Sequence, residues 1–529
     1  MKSDKLLRLI VPVFPRINVF SGASSSTTDF GSASLATKAS EVAGWKVEII
    51  QENNYKGPRN KDGLPDHIAL QQERWADLVG FCCGLTCSVE RVWKLAELYK
   101  FWNIPTIAGG WHAHYCPKET LSHNIDLVVH GDGELELSKI LQNVSASLSL
   151  YEGVEGCSFV SNGQIYHKNP SAEGIFQISD AYSDLAAIRN EVKNLDELRL
   201  NHGFLRHFNK IRYFTMGRSR GCPWNCEFCS VKGGVHFASG NHAFEVLDWL
   251  VQKMGARRIF VVDDLFEENL SGTMELLRLV KKKYGRKLII MVQVRLQSAA
   301  NTEFVQAMYD AGVRILCVGY ESPHDGDLKA MRKGITSTNM LEWTRIYGSK
   351  FWVHAMTMFG YPPKDGQPHT TAQELEDCFR NFIQKALPLC PYGLTIQILK
   401  PIPAVGTDLR RRLEDDGQVF PLEVLPWRYY DGNWACHMPK NMSLQELQET
   451  PIEIMDWFYG QFTPLRILVG MLRWPINALA YGWNDAMRRL HKEFVGFAAS
   501  HMMQKWHRQT DSERRELTAI LQSYWNNRR

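Results

Sequence analysis

Three cysteines within eight residues raise the first question of chemistry: "SRGCPWNCEFCSV" (219–231) carries Cys222, Cys226 and Cys229 at the spacing C-x3-C-x2-C. A structural zinc site closes with four ligands. A disulfide framework wants an even number of cysteines in a small secreted chain. Three thiolates leave one coordination position unfilled, as a catalytic metal centre needs. A zinc site completed by His202, His207 or His236 is the competing explanation, and it gives the surrounding strand and helix pattern no role.

That pattern is the scaffold the thiols require. From 209 to 403, apolar runs alternate with helical ones. Strands are expected at 211–217, "RRIFVVDD" (257–264), "KLIIMVQVR" (287–295), "VRILCVGYES" (313–322), "FWVHAMTMFGY" (351–361) and "GLTIQILKPIP" (393–403). Segments such as "GTMELLRLVKKKYG" (272–285) and "NTEFVQAMYDAG" (301–312) separate them with helical periodicity. Six strand–helix units suit an open or partial barrel better than a closed eight-fold one. Its chemistry belongs at the carboxyl ends of the strands, and the cysteines follow the first of them.

The first third reads as a doubly wound parallel sheet. "LLRLIVPVF" (6–14), "WKVEII" (45–50), "ADLVGFCC" (76–83), "IPTIAGG" (104–110) and "IDLVVHG" (125–131) are apolar runs of strands buried on both faces. Helical segments such as "SVERVWKLAELYKFW" (88–102) lie between them. Ligands of such sheets bind beyond the carboxyl ends of the strands. There the sequence offers Gly84, Thr86 and Ser88, then Gly109, Gly110 and His112, then Gly131, Gly133 and Glu134 of "GDGE". Glycines let a large flat ligand approach the backbone, and hydroxyls can anchor its polar rim. The Ser- and Gly-rich loop at 15–34 is placed to close over the same edge, and Asn162-Gly163 marks a hairpin within 157–168. Residues 171–205 read as a connector.

Composition sets the bounds. The 529 residues, 44% hydrophobic and 22% charged, describe a globular chain of several domains. A net charge of +4 is small for this length and argues against a nucleic-acid partner. Twelve scattered cysteines fit a reducing compartment. The opening "MKSDKLLRLIVPVFPRINV" is too short in its apolar run, and too broken by proline, for a signal peptide. The expectation is a cytoplasmic protein.

Cys222, Cys226 and Cys229, with Phe228 before the last, resemble the signature of radical S-adenosylmethionine enzymes. The resemblance implies a [4Fe-4S] cluster on the three thiolates, with one iron left for S-adenosylmethionine. It also implies cofactor-binding roles for Asp264 (Asp263 being the other choice), Gln293, Arg295 and Glu321 at successive strand ends, and for the turn "GYPPKD" (360–365) near the adenine. With the first sheet included, residues 5–405 resemble the cobalamin-binding subgroup of that family, implying cobalamin as a third cofactor. The Asp-x-His-x-x-Gly pattern that presents a histidine to cobalt is absent, so cobalamin is expected to bind without a histidine ligand from this chain.

The expected organisation is therefore α/β. A Rossmann-like cobalamin-binding domain (1–145) is followed by a hairpin and connector (146–208) and a partial (β/α)6 TIM-like radical barrel (209–405). A mostly helical cap (406–529) closes the chain. The cap carries a capping box at Ser443 and Glu446, and Pro475 argues against one continuous interfacial helix. The implied reaction is C-methylation of an unactivated carbon in a hydrophobic substrate, lipid- or tetrapyrrole-like, as in hopanoid and bacteriochlorophyll-type members. Radical cyclisation or oxidation, and a corrinoid-binding or sensory protein without catalysis, are the alternatives. Flavodoxin or ferredoxin is the implied electron donor. The aromatic and basic mix of the tail admits peripheral contact with a membrane.

Overall fold

Val, Ile and Leu runs with no polar face can only be strands covered on both sides, and such strands form both centres of this protein. The structure is a computed structural model that describes residues 4–16, 25–168, 191–364, 366 and 370–528, with backbone alone for 175–177. The expected closing loop at 15–34 and the connector at 171–205 thus lie partly outside the described residues. The chain divides into two compact units, residues 1–220 with 236–256, and residues 221–235 with 257–529.

In the first unit, β1 (Lys5–Val11), β2 (Trp45–Gln51), β3 (Leu78–Cys82), β4 (Thr106–Gly109) and β5 (Leu127–Val129) are parallel in the order β2-β1-β3-β4-β5. The strand order reverses between β1 and β3, the switch point at which such sheets bind ligands. Helices α1 (Phe30–Ala39), α2 (His67–Glu73), α3 (Val89–Phe101), α4 (Trp111–Tyr115), α5 (Pro117–Ser122) and α6 (Glu134–Ser145) connect the strands. The sheet continues antiparallel through β6 (Cys157–Ser161), β7 (Gln164–Lys168) and β8 (Ile175–Gln177). Asn162 and Gly163 make the β6–β7 turn with φ of +49° and +74°, the two left-handed residues such a turn requires.

The carboxyl ends of β1 and β2 are tied by buried charge. The Glu52 carboxylate takes Arg91 at 2.5 and 3.0 Å, His67 at 3.1 Å and the Val13 backbone N–H at 2.9 Å. Short strands β9 (Phe214–Met216), β10 (Ser219–Arg220) and β11 (His236–Phe237), with α7 (Gly240–Met254), complete this unit.

The second unit repeats strand and helix in order: β12 (Arg258–Val261), α8 (Leu270–Tyr284), β13 (Ile289–Arg295), α9 (Thr302–Asp310), β14 (Val313–Glu321), α10 (Asp325–Ala330), α11 (Met340–Gly348), β15 (Trp352–Met358), α12 (Ala372–Ala386) and β16 (Leu394–Leu399). The strands from β12 to β16 pair in parallel with their sequence neighbours, the arrangement of an open barrel segment. Then come α13 (Asp408–Asp415), α14 (Leu444–Gly460), α15 (Pro464–Tyr481) and α16 (Trp483–Arg528). The capping box at Ser443 and Glu446 starts α14.

One expectation fails here. Helix α15 runs unbroken through Pro475. Proline deprives the Met471 carbonyl of its helical partner, but both residues are exposed and water can take that bond.

Candidate active site

The cysteine loop, residues 221–235, belongs to the second unit. Cys222, Cys226 and Cys229 are each half-buried. The loop is pinned by the first of the two residues between Cys226 and Cys229. Glu227 is almost wholly buried, and its carboxylate accepts from Tyr361 at 2.8 Å and from Arg412 at 3.2 and 3.0 Å. Its backbone N–H donates to Met331 and its carbonyl accepts from Leu409. Phe228 packs edge-on against Tyr361, 6.4 Å between ring centres. Burial raises the Glu227 carboxyl, but the Arg412 and Tyr361 hydrogen bonds outweigh it and hold the group below its usual value.

Charged groups from the strand ends surround Cys226. Glu321 ends β14 with φ of +63°, where the pairing with β15 shifts register after Gly319. The local irregularity re-aims its side chain. The carboxylate meets Lys333 at 2.6 Å, and a Cβ on Gly319 would stand 2.5 Å from that carboxylate. Glycine therefore makes the space for the pair. Arg295, ending β13, donates to the Lys333 carbonyl at 3.1 Å and lies over the Trp224 ring at 3.5 Å. Lys333, Glu321 and Arg295 all act electrostatically on Cys226. Gln293 donates to the Asp263 carbonyl at 3.2 Å. Asp263 is buried, whereas Asp264 is exposed and its charge reaches Cys222 and Cys229. In the turn "GYPPKD", Asp365 lies outside the described residues.

The donor set fits an iron–sulfur cluster better than a zinc ion. Among the described residues, the three loop thiols do not close to the 4.8 Å mutual spacing of a single-ion site. The histidines of the zinc alternative are engaged elsewhere: His202 with the Thr215 carbonyl at 2.8 Å, His207 with Glu73 at 3.0 Å, His236 with Glu191 at 2.6 Å. Burial pushes all three thiols up, Cys229 to about 11, so metal binding there must release protons.

The second set of residues lines the β3–β5 edge of the first unit. Gly110, at φ +106°, is pressed against the end of β3: a Cβ there would lie 2.7 Å from the Gly84 nitrogen. The Gly109 carbonyl accepts from Cys83, and His112 N–H donates back to the Cys83 carbonyl. Gly84 has room, its nearest Cβ neighbour being Cys82 at 3.6 Å, and Gly109 is likewise open at 3.6 Å from Val129. Gly131 and Gly133 both have positive φ. Ser88 is buried on the Leu85 carbonyl.

Two polar residues of this edge are engaged within the protein. His112 is buried, with Nδ1 3.3 Å from the Thr86 hydroxyl and Nε2 3.3 Å from Glu119. His112, Cys116 and Glu119 bring ligand atoms within 4.8 Å of one another, close enough to share an ion. Glu134 takes Arg220 at 2.6 and 3.2 Å and Ser34 at 2.7 Å.

Comparison with known proteins adds to this geometry. The B12 binding domain family matches residues 19–141, which include β2 to β5 of the parallel sheet just described. The matched segment is similar to B12 binding domains, and the relatives that follow extend the likeness beyond it. An uncharacterized methyltransferase of Pyrococcus horikoshii is 26% identical over 313 residues, 57% of this chain and 62% of that protein. The hopanoid C-2 methylase of Rhodopseudomonas palustris is 28% identical over 213 residues, 38% of each chain. The chain thus spans less than two thirds of the length of these curated relatives. The radical S-adenosylmethionine methyltransferase TsrM of Kitasatospora setae, solved with cobalamin and a [4Fe-4S] cluster, shares the fold. Its TM-score is 0.60 at 14% identity, over 94% of this chain and 100% of that one.

Sequence reasoning missed Glu227, Trp224, Lys333 and Arg412, and reached Tyr361 only as part of the turn 360–365. Only Glu227 carried a signal, as the one carboxylate in the cysteine loop, set between two cysteines.

Proposed function

We propose that this protein is a cobalamin-dependent radical S-adenosylmethionine C-methyltransferase acting on an unactivated carbon of a hydrophobic, lipid-like substrate. The observation that carries the reading is one loop of three half-buried thiols with Arg295, Glu321 and Lys333 about Cys226, in a chain that also holds a B12 binding domain. Cys222, Cys226 and Cys229 would hold three irons of a [4Fe-4S] cluster and leave the fourth open to the methionine end of S-adenosylmethionine. When bound, the cluster supplies one electron to S-adenosylmethionine and the corrinoid supplies the methyl group.

The remaining roles fall to the protein. Arg295 would pair with the methionine carboxylate, its guanidinium held over the Trp224 ring. Glu321 would accept from the ribose hydroxyls, and Lys333 holds its carboxylate in place at 2.6 Å. Gln293 and Asp264 would stand at the adjoining strand ends, beside the amino group. Gly84, Gly109, Gly110, Gly131 and Gly133 would admit the corrinoid face, with Thr86 at its rim. His112 and Glu134 would set the edge from within rather than touch cobalt, because their side chains already have partners.

An apolar substrate is supported by the relative named as a hopanoid methylase. A flavodoxin- or ferredoxin-like protein would deliver the electrons. No helix among the described residues is long and apolar enough to cross a membrane, and contact with a lipid substrate's membrane would fall to the C-terminal helices.

The test is iron and cobalt content on anaerobically purified protein, followed by product analysis with S-adenosylmethionine and a reductant. Four irons and one cobalt per chain, with both S-adenosylhomocysteine and 5′-deoxyadenosine formed, are expected. Deoxyadenosine without S-adenosylhomocysteine would replace methylation by radical oxidation or cyclisation. Cobalt binding without deoxyadenosine, unchanged in Cys226→Ala, would leave a corrinoid-binding protein.

A further inference from the structure

Helix α15 has no buried residue. Its side toward α16 is fixed by three contacts. A Cβ on Gly470 would stand 3.1 Å from Leu490, Trp474 meets Trp483 edge-on at 4.5 Å, and Arg466 pairs with Glu493 at 3.0 Å. On the opposite side stand Leu465, Leu468, Leu472, Ile476 and Leu479, at 67, 53, 70, 68 and 91% exposure. Their spacing of three and four residues confines them to about 80° of arc, centred away from Gly470. Nothing in the described second unit covers this stripe.

The charge on the helix is equally one-sided. It has no Asp or Glu. Arg473 is exposed and has no ion-pair partner among the described residues. The acids at the start of α16 are engaged, Asp485 with Arg488 and Glu493 with Arg466 and Lys492. Tyr481 and Trp483, both exposed, stand where the two helices join. An apolar stripe with a cationic flank and aromatic residues at one end matches a helix lying in the plane of a membrane interface.

We infer that α15 is a membrane-docking helix, inserting Leu465, Leu468, Leu472, Ile476 and Leu479 into the outer acyl region of a leaflet that contains anionic phospholipid. Arg473 then meets the lipid phosphates. A second copy of this face would set Arg473 against a surface without an acid to receive it, which favours lipid over self-association. The purpose of the docking rests on the proposed lipid-like substrate, which the helix would bring within reach from the bilayer.

The experiment is co-sedimentation of the full-length protein with vesicles of phosphatidylcholine alone, or of phosphatidylcholine and phosphatidylglycerol in equal parts. The wild type is expected to partition onto the anionic vesicles and to leave them as salt is raised. Leu472→Glu/Ile476→Glu should lower that partitioning at least about tenfold. Leu479→Glu, at a site too exposed to affect folding, should lower it in the same direction. Arg473→Glu should weaken binding to anionic vesicles and leave phosphatidylcholine binding unchanged. Circular dichroism and the thermal midpoint check that each variant is folded.

A wild type that ignores both vesicles, or stripe variants that bind as well as it does, overturns the inference. So does a wild-type dimer that Leu479→Glu converts to a vesicle-indifferent monomer. Vesicle binding without any methylated product would leave the docking helix standing and remove the proposed activity. Methylation by a protein that binds no vesicle would do the reverse.

Discussion

Lys333 holds the Glu321 carboxylate at 2.6 Å beside Gly319, whose missing side chain leaves room for both. The pair is almost enclosed, and Glu321 sits in a left-handed backbone conformation that non-glycine residues adopt rarely. Strain of this kind persists where surrounding contacts over-determine it, and often marks a binding position. Lys333→Met should therefore release the carboxylate and weaken S-adenosylmethionine binding about 10- to 100-fold, with the cluster still assembled. Equilibrium dialysis against S-adenosylmethionine and iron analysis read the two separately. Unchanged affinity would remove Glu321 from the binding site.

Glu227 anchors the cysteine loop, so its loss should be felt at the metal. Glu227→Gln keeps the shape and leaves Arg412 without its charge partner. Breaking a buried pair in this way costs about 3–5 kcal/mol. The expected result is a lower denaturation midpoint and sub-stoichiometric iron after anaerobic reconstitution. Full iron loading with only the stability loss would show that the loop needs no anchor.

A third expectation concerns acid. Burial raises the Glu52 carboxyl, but hydrogen bonds and charge from His67 and Arg91 overcome this and bring it from 4.5 to about 2. Because the folded value is depressed, the group stabilises the fold above pH 4.5, and the contribution is lost as pH falls toward 2. The difference is worth about 3 kcal/mol. Glu52→Gln should unfold more easily at neutral pH and lose part of the wild type's acid dependence between those limits. Denaturant titrations at pH 7, 4 and 3 check this, and parallel curves for the two proteins would contradict it.

Gly110→Ala would push a methyl group to within 2.7 Å of the Gly84 nitrogen, at a φ of +106° that alanine resists. The backbone there cannot yield without parting the ends of β3 and β4. A stability loss of about 2 kcal/mol or more is expected, together with lower cobalt retention on desalting. Gly84→Ala, whose methyl group would meet only the Cys82 sulfur at an ordinary 3.6 Å, should cost less stability and test corrinoid approach alone.

The longer strands were legible because each is dominated by apolar residues, even where a buried charge such as Arg8 or Glu48 interrupts the run, and the register of β1 with β2 and β3 buries most of β1. The three cysteines were legible because they are adjacent in sequence. Lys333 and the contacts of Tyr361 and Arg412 were not, for Lys333 acts on Cys226 only through its charge, while Tyr361 and Arg412 reach Glu227 across 134 and 185 residues of chain, and none carries a periodic signature. Choosing Asp264 over Asp263 had no basis in sequence, because neighbouring acids at a strand end differ only in which way each turns. Pro475 misled for a definite reason. The cost of proline in a helix depends on whether the freed carbonyl can reach water, and exposure decides that.

The anchorage of Glu227 also sets an order of events. Its backbone and side chain are held by Met331, Tyr361, Leu409 and Arg412, all of which are synthesised well after the three cysteines. A nascent chain that has exposed Cys229 therefore presents thiols on an unanchored loop. Iron delivered before α13 has emerged and folded would find no formed site, so a cluster on these thiols would be inserted only once α13 is in place.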